Sequence, residues 1–165
     1  MTATSAASPK VWCAHAVLQS FWALAAERSP LETGGCLAGY YAKDTDDVVI
    51  THVIGPGPAA THQSTTFLAD RDYHDEMLAV LWETSKRRIR YVGDWHTHPG
   101  GSPQLSLLDR AFMKHAARDQ DALLKCSLVA IVYGDLTAVR FWSYSRPRCP
   151  LNVFPKFRAL QVIPY

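Results

Sequence analysis

A chain of 165 residues is long enough for one domain with a substantial core and short for two. Hydrophobic residues make up 48% of it, which excludes wholesale disorder. With 17 Lys and Arg against 15 Asp and Glu the net charge is only +2, so nothing argues for a nucleic-acid or membrane surface.

Residues 1–9 are small and polar, without a basic start, and read as a flexible tail. Val11, Ala14, Leu18, Phe21 and Ala25 recur at helical spacing and predict a first helix running to about Arg28, ended by Ser29-Pro30. His15, Gln19 and Ser20 interrupt the apolar run, so it suits neither a signal peptide nor a membrane span. Gly35 to Tyr41 reads as a strand, residues 43–47 as a hairpin turn and Val48 to Ile54 as the returning strand, broken by Gly55-Pro56-Gly57-Pro58. Residues 59–69 fit no single class, although Thr65-Thr66-Phe67-Leu68 suits an extended segment. Asp70 opens a second helix with Tyr73, Met77, Leu81, and with them Leu78 and Trp82, facing inward. The basic run Lys86-Arg87-Arg88-x-Arg90 reads either as a solvated helix end that complements the dipole or as a contact for an acidic partner.

The β-prone stretch from Ile89 to Trp95 leads directly into His96-Thr97-His98-Pro99. On a strand, His96 and His98 project to one face and Thr97 to the other. Pro99 to Pro103 must be a loop. A third helix follows from about Ser106, since Leu107, Leu108, Ala111, Phe112 and His115 keep helical spacing. Asp109 falls in its first turn, where the loop can fold it back toward the two imidazoles. Two His nitrogens, one Asp oxygen and a water make a four-coordinate zinc site with an open position, which suggests hydrolysis. Ser106-x-x-Asp109 also has the form of a capping box, and the two roles are compatible. Ser127 to Tyr133 is a continuous apolar strand, Gly134-Asp135 a turn, and Thr137 to Tyr144 an alternating strand. The resulting division is residues 1–9 as tail, 10–146 as the domain and 147–165 as a proline-broken extension. The order is α+β, with a mixed central sheet flanked by helices. The four cysteines, Cys13, Cys36, Cys126 and Cys149, form no C-x-x-C and read as reduced thiols of a cytoplasmic protein. His52, His62, His74 and His115 read as satisfied polar residues, and Trp95 as core.

The pattern His96-x-His98-Pro99, six residues, Ser106, two residues, Asp109 resembles the JAMM motif of the JAB1/MPN/Mov34 metalloprotease family. That motif also has an upstream glutamate before a strand of small residues, and Leu31-Glu32-Thr33-Gly34-Gly35-Cys36-Leu37-Ala38-Gly39 looks like that segment. The resemblance runs from about residue 10 to about residue 142, and the flanks are more similar to short bacterial JAB-domain proteins than to proteasomal ones. It implies an MPN-type, cytidine-deaminase-like fold. It implies that His96, His98 and Asp109 bind one zinc ion with its water, that Glu32 is the general base and later the acid, and that Ser106 bonds the oxyanion. The implied activity is a deubiquitinase-like isopeptidase or peptidase acting after the C-terminal tail of a ubiquitin-like protein, beside E1-like and E2-like partners in antiviral conjugation systems. The same chemistry would serve the processing of a sulfur-carrier protein. A non-catalytic scaffold is the remaining alternative, although scaffolding relatives lose a motif residue and none is lost here. His62 lies where such relatives place insertions that touch substrate, and Phe67 reads either as a flank of a channel for an extended peptide or as core.

Overall fold

The computed structural model describes residues 9–118, 124, 126–145 and 156–165. Its elements are β1 (Lys10–Cys13), α1 (His15–Ala26), β2 (Gly34–Tyr41), β3 (Val48–Ile54), β4 (Thr61–His62), β5 (Phe67–Leu68), α2 (Arg71–Thr84), β6 (Arg90–Pro99), α3 (Leu107–Ala116), β7 (Ser127–Gly134), β8 (Ala138–Ser145) and β9 (Lys156–Pro164). The predicted tail, apart from its last residue, and Cys149 lie outside the described residues.

The main sheet is mixed, as its sequence order implied, and closes on itself in the order β1-β3-β2-β6-β7-β8-β9. Parallel pairs join β1 to β3, β1 to β9 and β6 to β7, and the remaining pairs are antiparallel. Strand periodicity decides which helix covers which side chain. On β7, Leu128, Ala130 and Val132 enter the main core, where α1 contributes Val17, Phe21 and Ala25. The alternate residues Val129 and Ile131 face out and are covered by Met113 of α3. On β2, Cys36 and Ala38 are likewise covered by Tyr73, Met77, Leu78 and Leu81 of α2. Burial of each large side chain contributes about 1.5–3 kcal/mol, so both outer helices are fixed by the sheet beneath them.

Three features depart from the sequence expectations. The first helix is shorter than its apolar stripe: Val11 and Cys13 belong to β1, where both are fully buried, and the helix begins at His15. Strand β1 exists through pairing with Val48–Ile50 and with Gln161–Pro164, partners that local periodicity does not reveal. Trp82 is 36% exposed instead of facing inward with its neighbours. The stripe that predicted α3 faces solvent: Leu107 is 87% exposed and Leu108 66%, while Met113 supplies the contact to the sheet. The segment 59–69 contains the small β4–β5 hairpin. The last strand, β9, pairs with both β8 and β1 and so completes the barrel.

Candidate metal centre

Strand β6 runs between β2 and β7 and carries the two histidines at its C-terminal end. Trp95 and Thr97 are fully buried on one face, so His96 and His98 share the other. Trp95 is held as core by a bond from its Nε1 to the Ile54 carbonyl at 2.9 Å and by an edge-on contact with Phe21. Thr97 is turned inward and ties β6 to the start of β2. Its N–H donates to the Thr33 carbonyl at 2.8 Å, and its Oγ1 accepts from the Thr33 N–H at 2.9 Å.

After Pro99 the chain turns at Gly100 with φ +66°, a conformation that glycine adopts without steric cost. The turn brings Ser102 back so that its carbonyl accepts from His98 Nδ1 at 2.9 Å. A carbonyl has no proton to give, so the proton sits on Nδ1 and the lone pair of His98 Nε2 is free. Such an outer hydrogen bond orients a metal-binding imidazole and fixes its tautomer. Ser106 then caps α3: its Oγ accepts from the Asp109 N–H at 3.1 Å, and Asp109 Oδ2 accepts from the Ser106 N–H at 2.7 Å. The capping box locks the Asp109 side chain, and the Ser106 hydroxyl also hydrogen-bonds the Asp109 carboxylate.

The result is a convergent donor set. His96 Nε2 is 3.1 Å from His98 Nε2 and 3.2 Å from Asp109 Oδ1, and His98 Nε2 is 3.7 Å from Asp109 Oδ2. Donors about 2.0–2.1 Å from a tetrahedral ion stand roughly 3.3 Å apart, so the three fit one ion and leave a fourth position open. Among the described residues these are the group that could hold a metal. Burial would push the Asp109 carboxyl up, but His96 and the Ser106 cap hold it well below the usual carboxylate range, so it is ionised and ready to ligate.

Glu32 is half-buried, two residues ahead of β2. Burial raises its carboxyl above the ordinary value, while His96 and His98 draw it down and Asp109 pushes it up again. The carboxylate therefore lies within electrostatic reach of all three donors. Its supports carry no spacing signal in the sequence. Glu32 N–H donates to the Gln63 carbonyl at 2.8 Å, and the Glu32 carbonyl accepts from His62 Nδ1 at 3.0 Å. Phe67, on the same hairpin, lies over Gly34, where a Cβ would strike its ring.

The remaining candidates are structural. His74 is buried and bonds the Gly55 carbonyl at 2.8 Å, and His52 and His115 are exposed. Cys13 and Cys36 are free and buried, and burial raises their thiols to about 12, so neither ionises at neutral pH. Lys86, Arg87 and Arg88 form an exposed helix end, and Arg90 lies over the Tyr41 ring. Among the described residues no helix is long and apolar enough to cross a membrane.

Comparison with known proteins agrees with this geometry. A family model described as prokaryotic homologs of the JAB domain matches residues 14–145. A probable metalloprotease of Sinorhizobium fredii is 32% identical over 113 residues, covering 68% of this chain and 68% of the relative. A CD-NTase/cGAS isopeptidase of Enterobacter hormaechei is 33% identical over 104 residues, covering 63% of this chain and 56% of that one. The chain spans about half the length of the isopeptidases it matches. The solution structure of protein DSY2949 from Desulfitobacterium hafniense shares the fold with a TM-score of 0.64 at 18% identity, over 94% of this chain and 92% of that one. With the family match spanning most of its length, the chain belongs to the prokaryotic JAB-domain family.

Proposed function

We propose that the chain is a zinc-dependent isopeptidase or peptidase that cleaves after the C-terminal tail of a ubiquitin-like protein, maturing its precursor or releasing it from conjugates. The observation that carries the reading is the convergence of His96, His98 and Asp109 on one point, with a half-buried Glu32 carboxylate in electrostatic reach of all three. His96, His98 and Asp109 would hold the ion. Bound there, zinc would supply Lewis acidity, polarising the scissile carbonyl and bringing the pKa of a water down to about 7. Glu32 takes the proton of the attacking water and passes it to the leaving amine. The Ser106 hydroxyl donates to the carbonyl oxygen as that oxygen gains negative charge. A groove of about 280 Å³ lined by Gln63, Thr66, Phe67, Leu68 and Leu108 lies between the hairpin and α3, and it suits an extended tail. The free, buried Cys13 and Cys36 are consistent with a cytoplasmic enzyme, where E1-like and E2-like proteins would be its conjugating counterparts.

A second reading keeps the chemistry and changes the modifier. Three relatives are named CD-NTase/cGAS isopeptidases, which favours a CD-NTase in the place of the ubiquitin-like protein.

The test uses two fusions with C-terminal reporters, one of a ubiquitin-like protein and one of a CD-NTase from the same genome. Zinc-loaded wild type is expected to release one reporter, and Glu32→Gln to release neither while still binding one equivalent of zinc. Cleavage retained by Glu32→Gln would remove Glu32 as the base. Stoichiometric zinc without cleavage of either fusion by wild type would leave the scaffold as the better reading.

A further inference from the structure

Glu32 lies outside the sheet. Strand β2 begins at Gly34, so sheet pairing does not fix the backbone that carries the proposed base. Thr33 is tied to Thr97 on the metal strand, which anchors the residue after it. The order of Glu32 itself comes from the β4–β5 hairpin, which takes both of its main-chain polar groups: the N–H through the Gln63 carbonyl and the C=O through His62. With N–H and C=O both pinned, φ and ψ of Glu32 are set, and with them the direction of its Cα–Cβ bond. The Gln63 contact is made by backbone and any residue there could make it. The His62 contact is made by a side chain, and it is the one that depends on residue type.

Only some side chains could make it. The acceptor is a carbonyl, so the ring must carry its proton on Nδ1. The ring stacks on Phe67 with centroids 6.5 Å apart and planes 14° from parallel, which holds Nδ1 in place. The other nitrogen, Nε2, is buried and has no partner among the described residues.

We propose that His62 is a positioning residue for the reaction, aiming the Glu32 carboxylate at the donor set by holding, together with the Thr33–Thr97 bond, the peptide plane that follows it. This rests on the reading of Glu32 as the base. The test compares His62→Ala, His62→Asn and His62→Gln in the zinc-loaded protein. The Asn amide nitrogen falls near the position of Nδ1, whereas that of Gln falls near Nε2. On whichever fusion wild type cleaves, His62→Ala is expected to lower kcat roughly 10- to 100-fold, as misplacement of a catalytic group does, with KM within about twofold and zinc stoichiometry unchanged. His62→Asn should recover most of the loss and His62→Gln should not. Should the Ala variant fail to fold, the Asn and Gln pair decides alone. Hydrogen exchange of the Glu32 and Thr33 amides, followed by NMR, needs no substrate: it should quicken in His62→Ala and return toward wild type in His62→Asn. If wild type cleaves neither fusion, the proposed function fails while exchange still decides the positioning role. Equal exchange in wild type and His62→Ala, equal defects in Asn and Gln, or a rise in KM at constant kcat would overturn the inference, the last because it would mark the hairpin as a substrate anchor only.

Discussion

Ser106 serves helix and site with different atoms. Its oxygen accepts from the Asp109 N–H, and in the proposed reaction its hydrogen turns from the Asp109 carboxylate to the reacting carbonyl. The two duties separate experimentally. Ser106→Ala should cost about 1 kcal/mol of stability through loss of the N-cap, read as a lower urea midpoint. It should cost about 10²- to 10³-fold in kcat through loss of the oxyanion donor. A variant that loses stability but keeps kcat would leave Ser106 as a cap alone. Asp94, on β6, presents a different balance. Burial pushes its carboxyl up to about 6, against the opposing pull of the Tyr91 hydroxyl that donates to it and of His96. The folded state then holds a proton that the unfolded chain has released between about pH 4 and pH 6, so this group lowers stability as pH rises through that window. Asn at the position would still accept from Tyr91 and never ionises. In metal-free protein the stability curves of wild type and Asp94→Asn should meet near pH 4 and differ above pH 6, with the variant ahead by about 1–2 kcal/mol after allowance for partial exposure. Parallel curves would show that the charge is already compensated.

At the scale of elements, the sequence was most legible where one local pattern carries the information. The β2–β3 hairpin, β6, β7 and β8 announced themselves by apolar runs between turn residues, and the zinc-type motif lay within one strand, one loop and one helix turn. Strand β1 was hidden because Val11 and Ala14 extend the apolar spacing of α1, whereas the strand depends on partners near residues 48 and 161. Helix α3 was found from its period, but period does not say which face is buried. Leu107 and Leu108 look out beside the metal-binding face, and the contact with β7 falls to Met113. The support of Glu32 by His62 was illegible for a similar reason: a lone histidine in an irregular segment carries no spacing signal, and its value comes from a carbonyl 30 residues away. The closing strand gives an element-scale prediction. Leu160 is 6% exposed and joins the main core, so Leu160→Ala should cost about 2–5 kcal/mol in thermal or urea unfolding. A loss below 1 kcal/mol would mean that β9 is an ornament to the barrel.

For the whole molecule, the candidate metal face and the core are linked through β6, whose inner face carries Trp95 and Thr97 and whose outer face carries His96 and His98. An ion bound to the native donors should therefore stabilise the entire domain. At zinc one hundred times its Kd the gain is about 2.7 kcal/mol, or roughly 5–10 °C in Tm for a chain of this size. Chelation should reverse the shift, and His98→Ala should abolish it. A Tm indifferent to zinc would argue against a site preformed as these distances imply.

The seam between β1 and β9 joins residues roughly 150 positions apart, Lys10 opposite Gln161 and Cys13 opposite Pro164. Synthesis therefore finishes the metal-binding strand and both outer helices well before the barrel can shut. Until Lys156–Pro164 has been made, β8 and β1 each present a bare edge, and so distant a contact is slow to find. At high concentration the late strand of one molecule can fill the gap in a neighbour, giving an exchanged dimer with native centres and the wrong connectivity. Vulnerability in time thus lies at the seam that closes the barrel, and an exchanged dimer should grow with protein concentration during refolding, as size-exclusion chromatography would show.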